Sequence, residues 1–422
     1  MRKIQIRIFV ILLLICATLI QTTNLTAQYN EDKAFTFLKE MFDRHDKKLH
    51  DFLVTELTHF INTFPDKAHS EDVRYMLGKA YEEKGKNHEA LASYLMMVYL
   101  YPGSAQKSEW ADLVRNIVAN EKKYDNKKSE ILNVIDLQMT DRTTTDRYFD
   151  YLLLLKILDQ PKLYDWFLSS CREFTRLYPD DKRNDQVTIW IAEIYSKKKK
   201  DEQAEASYLK FNLLYADSPL VPQAMFKRGT LLYEKLKKSD LAVEELNRVV
   251  AEYPESSYAA EALFMLGTIK EKKLKEYQAA MADYRKLAGL YPNSPKAYDA
   301  LFQVAELYTK KLKDYPSAVT SYNEIVTKDS TGAFGPLALE EIATIYKRNL
   351  KDQSKAAESY KQIADKYPNY EKAADRLYEA GLIYERKLKD TQKAIEYYQL
   401  LVEKYPTHKK ARDAKKKLSK MQ

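Results

Sequence analysis

Small and apolar residues recur at a fixed interval along much of this chain. Ala204, Ala242, Ala280, Ala318, Ala356 and Ala394 follow one another 38 residues apart, and Ala90 stands three such steps before Ala204. Four residues after each comes a large ring or a leucine, at Tyr94, Tyr208, Leu246, Tyr284, Tyr322, Tyr360 and Tyr398. Twelve or thirteen residues before each alanine lies another small residue: Gly78, Ala192, Gly229, Gly267, Ala305, Ala343 and Gly381. A tyrosine often follows that residue by three, as at Tyr81, Tyr195, Tyr308, Tyr346 and Tyr384. Apolar residues three and four apart around both small positions predict two helices per unit, and the period predicts an array of helix pairs rather than separate globular domains. A small residue on the first helix, A, lets the second, B, come close; the alanine on B does the same in return, and the ring fills the space beside them.

Proline supplies the punctuation. Pro102, Pro254, Pro292, Pro368 and Pro406 stand twelve residues after their alanines, each behind a tyrosine, with Ala216 and Ser330 substituting in two units. Proline ends helix B because it has no N–H to continue the helix. In "YPNSP", Tyr291 to Pro295, Ser294 is expected to cap the next helix A, with Pro295 in its first turn; "ADSP" and "PESS" repeat the device.

The order small, Tyr, Ala, ring, Pro resembles the tetratricopeptide repeat over residues 70–104 and 183–406. The unit is longer than that family's usual length of about 34 residues, which places the extra residues in the A–B turn and the link between units. The resemblance implies an all-α, right-handed superhelical solenoid whose concave groove holds extended peptide segments. Leu232 and Lys270, at the tyrosine position, depart from the pattern.

Between Ser104 and Pro179 the signature fades, although the register demands two units there. Four helical runs, "SEWADLVRNIVANE", "SEILNVIDLQM", "RYFDYLLLLKIL" and "LYDWFLSSCREFTRLY", read as two degenerate repeats, with a small inserted helical domain as the alternative. A first unit from Glu31 to Pro65 and a terminal "HKKARDAKKKLSKMQ" bring the expectation to about nine helix pairs plus a capping helix. The expected divisions are a leader at 1–27, N-terminal repeats at 28–104, degenerate repeats at 105–180, regular repeats at 181–406 and a basic cap at 407–422.

With 9 glycines, 45% apolar and 31% charged residues, the composition suits polar-faced helices and leaves little glycine for phosphate-cradling loops. The first residues are basic at Arg2, Lys3 and Arg7, apolar from Ile8 to Ile20 and polar to Ala27, which reads as a secretory leader with the mature chain starting near Gln28. The apolar run falls short of the roughly 20 residues that span a bilayer. Cys16 raises lipidation, but Ile15 spoils the lipobox, so no lipid is expected. Without the leader the formal charge falls from +8 to +5, too balanced to argue for nucleic acid. Cys171 then stands alone, and no intramolecular disulfide is expected.

No Walker loop, dinucleotide fingerprint, nucleophile elbow or zincin helix occurs, so no catalytic, cofactor-binding or metal residue is assigned. In "RHDKKLHD", His45 and His50 would fall about 140° apart on one helix and read as solvated polar positions. Cys171 reads as a small buried residue.

Two surfaces invite partners. The A–B turns are lysine-rich in unit after unit, and stacked they form a basic edge that includes Lys272, Lys275, Lys310 and Lys313. That edge is either solvated, complementing helix C-termini, or a contact for anionic lipid headgroups, envelope glycan or an acidic protein. On helix A, three residues before the small position, stand Tyr75, Phe226, Phe264, Phe302 and Tyr378, with Glu261 and Asp299 a turn away from two of the phenylalanines. The tetratricopeptide resemblance implies that this position faces the groove; the alternative is that the rings tuck between successive A helices. The asparagines of that family's carboxylate clamp are missing, since the next groove position carries Lys79, Glu193, Thr230, Thr268, Glu306, Thr344 and Leu382.

The expectation is a non-catalytic scaffold of the bacterial cell envelope, periplasmic or outer-membrane-associated, that binds peptide or helical segments of protein partners in its groove. The alternative is an envelope protein that binds anionic lipid or glycan through the lysine edge. The "YP-x-SP-x-A" unit boundaries are similar to those of outer-membrane assembly lipoproteins of the BamD type and of Tol-Pal accessory proteins, which extends the expectation to envelope assembly.

Overall fold

The computed structural model describes residues 30–421 except Asp66, Gln138 and Ser330. The leader, Cys16, the start near Gln28 and Ser330 as a proline substitute lie outside the described residues. Among the described residues the structure is all-α with no strand, in two compact units divided between Ser207 and Tyr208.

In the second unit the A helices are Val221–Glu234, Ser257–Ile269, Ala297–Leu307, Gly335–Ile345 and Ala373–Ile383. The B helices are Ser239–Glu252, Tyr277–Leu290, Tyr315–Lys328, Gln353–Lys366 and Thr391–Lys404, and Lys409–Met421 closes the array. Each helix packs on the next along the chain. The alanines that set the period, from Ala242 to Ala394, are fully buried, as are Leu246 and Tyr398. The small residue on helix A meets the ring on helix B directly: a Cβ on Gly229 would lie 2.8 Å from Leu246 Cγ, and one on Gly381 would lie 2.5 Å from Tyr398 Cε1. Burying each such side chain stabilises by roughly 1.5–3 kcal/mol, so the repeated contact is what holds A to B.

The extra length of the unit sits in the A–B turn. Helix A widens into one π turn at Lys270–Leu274, Tyr308–Leu312, Tyr346–Leu350 and Tyr384–Leu388. Each ends on a lysine in the left-handed region, at Lys275, Lys313, Lys351 and Lys389. The following N–H reaches back six residues, as from Asp314 to Tyr308 O at 3.0 Å and from Asp352 to Tyr346 O at 2.9 Å. Asp314, Asp352 and Asp390 then cap helix B by accepting from the N–H groups of Ser317, Lys355 and Lys393.

Helix B ends as expected, with Tyr253, Tyr291, Tyr367 and Tyr405 at the C-cap and proline next. The start of helix A corrects one expectation. Ser256 is a true N-cap, but Ser294 and Ser218 lie two residues ahead of the caps Lys296 and Leu220, whose N–H groups they accept at 3.2 and 3.1 Å. Pro295 therefore belongs to the preceding turn rather than to the first turn of the helix.

In the first unit, helix Asn87–Leu100 is buried from Ala90 to Tyr99 and packs against Ser70–Glu83, Lys107–Asn120 and Thr144–Leu158. A helix that is apolar all round requires neighbours on every side. The runs expected between 104 and 179 form Lys107–Asn120, Lys128–Ile135, Thr144–Leu158 and Tyr164–Leu177. Tyr151 Oη donates to Ala92 O at 2.9 Å and Trp166 Nε1 donates to Tyr151 Oη at 2.5 Å, which ties the later helices to the central one.

Candidate partner interface

Phe226, Phe264, Phe302 and Tyr378 occupy the same place on four A helices, and all four are half-buried. Three of the rings lean on the ring of their own B helix: Phe264 on Tyr284, Phe302 on Tyr322 and Tyr378 on Tyr398, with centroids 5.5–5.7 Å apart. Each also meets a residue at the start of the next helix in the stack. Tyr258 lies 5.5 Å from Phe226 and Phe334 lies 6.4 Å from Phe302, while Lys296 and Lys410 stand 5.0 and 4.8 Å over Phe264 and Tyr378. At the equivalent place Glu340 accepts from Arg376 Nε at 2.7 Å and from Tyr370 Oη at 3.3 Å. The position thus links successive units and keeps part of each side chain at the surface. Glu261 is half-buried, and Asp299 pairs with Lys296 at 3.3 Å. In the first unit Tyr75 Oη donates to Glu109 at 2.5 Å.

On the turn edge Lys272, Lys275, Lys310 and Lys313 are exposed. Lys310 pairs with Glu306 at 2.8 Å, and Lys275 Nζ folds back to donate to Lys272 O at 2.8 Å. Acids in these turns are taken up by the helices that follow. The Ser317 hydroxyl and N–H hold the Asp314 carboxylate below the usual range, and Glu385 accepts from Tyr398 Oη at 2.6 Å and from Lys417 at 2.7 Å.

Two polar clusters were not foreseen. Arg74, buried on helix Ser70–Glu83, holds Glu173 of helix Tyr164–Leu177 at 2.5 Å, and Tyr148 Oη donates to the same carboxylate at 2.7 Å. Burial pulls the guanidinium pKa down and the Glu173 charge overrides it upward, so the guanidinium stays charged. Together with Tyr81, Met96 and Trp166 the pair lines a cavity of 370 Å³. A buried arginine on an apolar helix face was the available signal; its partner, ninety-nine residues away, had none.

The second cluster corrects the reading of the histidines. The helix breaks at Arg44, with His45 in the left-handed region, and both imidazoles converge on Glu83: His45 Nδ1 at 3.1 Å and the buried His50 Nε2 at 2.9 Å. His50 is thus not solvated. Among the described residues no group of three or more His, Cys, Asp and Glu side chains is arranged to hold a metal ion. Cys171 is buried, and burial pushes its thiol well above the ordinary range, away from thiolate chemistry.

The tetratricopeptide repeat family matches residues 72–104, 299–331, 337–370 and 377–408, and a family described as outer membrane lipoprotein matches residues 168–284. No curated protein sequence matches the chain. Among solved structures, a tetratricopeptide repeat protein from Parabacteroides merdae is 16% identical over 66% of this chain and 98% of its own, with a TM-score of 0.36. The C-terminal part of a repeat-containing protein from Cytophaga hutchinsonii is 15% identical over 60% of this chain and 99% of its own, at 0.37. PilW, a widely conserved type IV pilus biogenesis factor, is 20% identical over 55% of this chain and 99% of its own, at 0.31. Four of the units read from the alanine spacing, those of Ala90, Ala318, Ala356 and Ala394, are thus similar to tetratricopeptide repeats.

Proposed function

We propose that this protein is a non-catalytic scaffold of the bacterial cell envelope and that it holds a segment of a protein partner along the row of A-helix rings. The observation that carries the reading is the register of Phe226, Phe264 and Phe302, which leaves three half-buried phenylalanines at one level of successive A helices. The closest A–B contact is made by the small residue, alanine and ring set; Phe264 and Phe302 lean on the edge of that set and keep part of their surface exposed. Aromatic anchors of this kind commonly cost about 2 kcal/mol or more of binding when truncated. Glu261 and Asp299 beside the row favour a segment that carries apolar residues together with Lys or Arg. The envelope placement is supported by the match to an outer membrane lipoprotein family over residues 168–284 and by the leader-like first residues.

A photo-crosslinking residue at Phe302 tests this in intact cells. The crosslinked partner should disappear in Phe264→Ala/Phe302→Ala, while the pair of changes lowers the melting temperature less than Leu263→Ala/Leu301→Ala, whose side chains are buried. Capture of the partner undiminished by the ring variant would remove the ring row from the interface.

A further inference from the structure

We infer that the A–B turns of the second unit form a second interface, one that lays this face of the protein on an anionic lipid bilayer. The turns share a short motif: "KKLKE" from Lys272, "KKLKD" from Lys310, "RNLKD" from Arg348 and "RKLKD" from Arg386. Three features of the folded turn make it more than a wet, lysine-rich loop.

The first is charge segregation. The acid that ends each of the last three motifs, Asp314, Asp352 or Asp390, is turned to the start of helix B as its cap. The cations point elsewhere: among the described residues Lys272, Lys273, Lys311, Arg348, Arg386 and Lys387 are exposed and enter no ion pair. A motif that is only modestly basic in sequence is therefore strongly basic on its outer face.

The second is the leucine. Leu312, Leu350 and Leu388 stand at the tips of their turns with 37%, 37% and 38% of their surface exposed. A soluble polyanion has no use for an exposed leucine set among the cations. A bilayer does: cations meet the headgroups and apolar side chains enter the boundary with the acyl chains. This choice of residues favours lipid over nucleic acid, glycan or an acidic protein.

The third is the backbone. The left-handed conformation is most easily met by glycine, as at Gly85 in the first unit, yet Lys237, Lys275, Lys313, Lys351 and Lys389 all hold it as lysine. Conformational cost repeated at one place points to use there. The turns also line up: helix Gln353–Lys366 touches both its own turn, Tyr346–Leu350, and the next, Tyr384–Leu388. The inference does not depend on the ring row, and the two fail separately.

The test uses the full chain with vesicles of phosphatidylcholine, alone or mixed with phosphatidylglycerol, in which the acyl chains are brominated. In Leu350→Trp the new tryptophan should be quenched on the anionic vesicles and not on the neutral ones. Attachment through the apolar run Ile8–Ile20 would leave a tryptophan at 350 unquenched. Changing Lys272, Lys310, Lys311, Arg348, Arg386 and Lys387 to Glu spares the left-handed lysines, so the turns should keep their shape, checked by an unchanged melting temperature. That variant should lose at least about tenfold in partition onto anionic vesicles, and quenching should fade with salt. Should either variant melt early, Leu312→Trp and the same six positions changed to Gln replace them, with the same expectations. No quenching at either leucine, or an unchanged partition after charge reversal, overturns the inference. So does binding of dextran sulfate without binding of vesicles, which would assign the edge to a soluble polyanion.

Discussion

The Cβ that Gly267 lacks would lie 2.6 Å from Cε1 of Tyr284, closer than real side chains approach one another. Tyr284 is 1% exposed, so its ring has nowhere to go. Gly267→Ala is therefore expected to destabilise the second unit by about 1–3 kcal/mol through overpacking, although alanine is the better helix former. Gly289→Ala is the control, since nothing lies within 4 Å of a Cβ there and helix propensity alone should raise stability by about 1 kcal/mol. Urea unfolding of both variants checks this. Equal effects of the same sign would mean that the glycine serves backbone freedom and not the ring.

The lysines in the left-handed region give a prediction of opposite sign. Lys313, Lys351 and Lys389 have φ of 55°, 59° and 58°, where a side chain costs roughly 1 kcal/mol and glycine costs little. Changing all three to Gly should leave the melting temperature unchanged or raise it, because relief of strain is set against the greater freedom of an unfolded glycine. Gly85→Ala, at φ 67°, should lower it. A steep fall in stability for the triple variant would assign these lysines a folding role, and weaken the case that they are kept for their charge.

How much of this was readable beforehand depends on the range of the interaction. The alanine period, the tyrosine and proline at the end of helix B and the glycine beneath the ring are set by contacts inside one helix pair, and each had a signal in residue type and spacing. The π turn had none, since lysine is not a residue from which left-handed backbone is read. Ser294 failed as a cap because the helix start is decided by packing of the following residues, not by the first available hydroxyl. The register of Phe226, Phe264 and Phe302 was legible; what crosses them, Tyr258, Lys296 and Phe334, belongs to the next unit and was not. His45 is exposed as read, but His50 was misread because the helix assumed to carry both is broken between them.

Arg74 and Glu173 show the limit most clearly and give the third prediction. Their side chains are 5% and 10% exposed and pair at 2.5 Å, with Arg74 Nε buried and left without a hydrogen-bond partner. Glu173→Leu should cost about 3–5 kcal/mol by leaving a buried guanidinium unpaired. Adding Arg74→Leu should restore much of that loss, since two apolar residues need no partner. A double variant as unstable as the single one would show that the pair is required by the surrounding network, through Tyr148 and Met96, rather than by its own charges.

His88 supplies the prediction in pH. It is buried, with Nδ1 2.5 Å from the hydroxyl of Tyr124, and burial lowers its pKa from the ordinary 6.5. Glu121 and Glu89 pull that value up and Lys123 and Lys162 push it down, but loss of water outweighs them. In the unfolded chain the imidazole takes up its proton near pH 6.5, before the folded one does. Below that point the unfolded state holds more protons, so stability contributed by neutral His88 is present above about pH 7 and is lost as the pH falls through 6.5 toward the lower folded value. The first unit should accordingly weaken between about pH 7.5 and 5.5, and His88→Gln, which keeps a polar group beside Tyr124, should weaken less over the same interval. Urea titrations of both proteins across that range decide it: parallel stability curves would show that the fold does not discriminate between the two forms of this imidazole, and that the Tyr124 hydroxyl serves the charged ring as well as the neutral one.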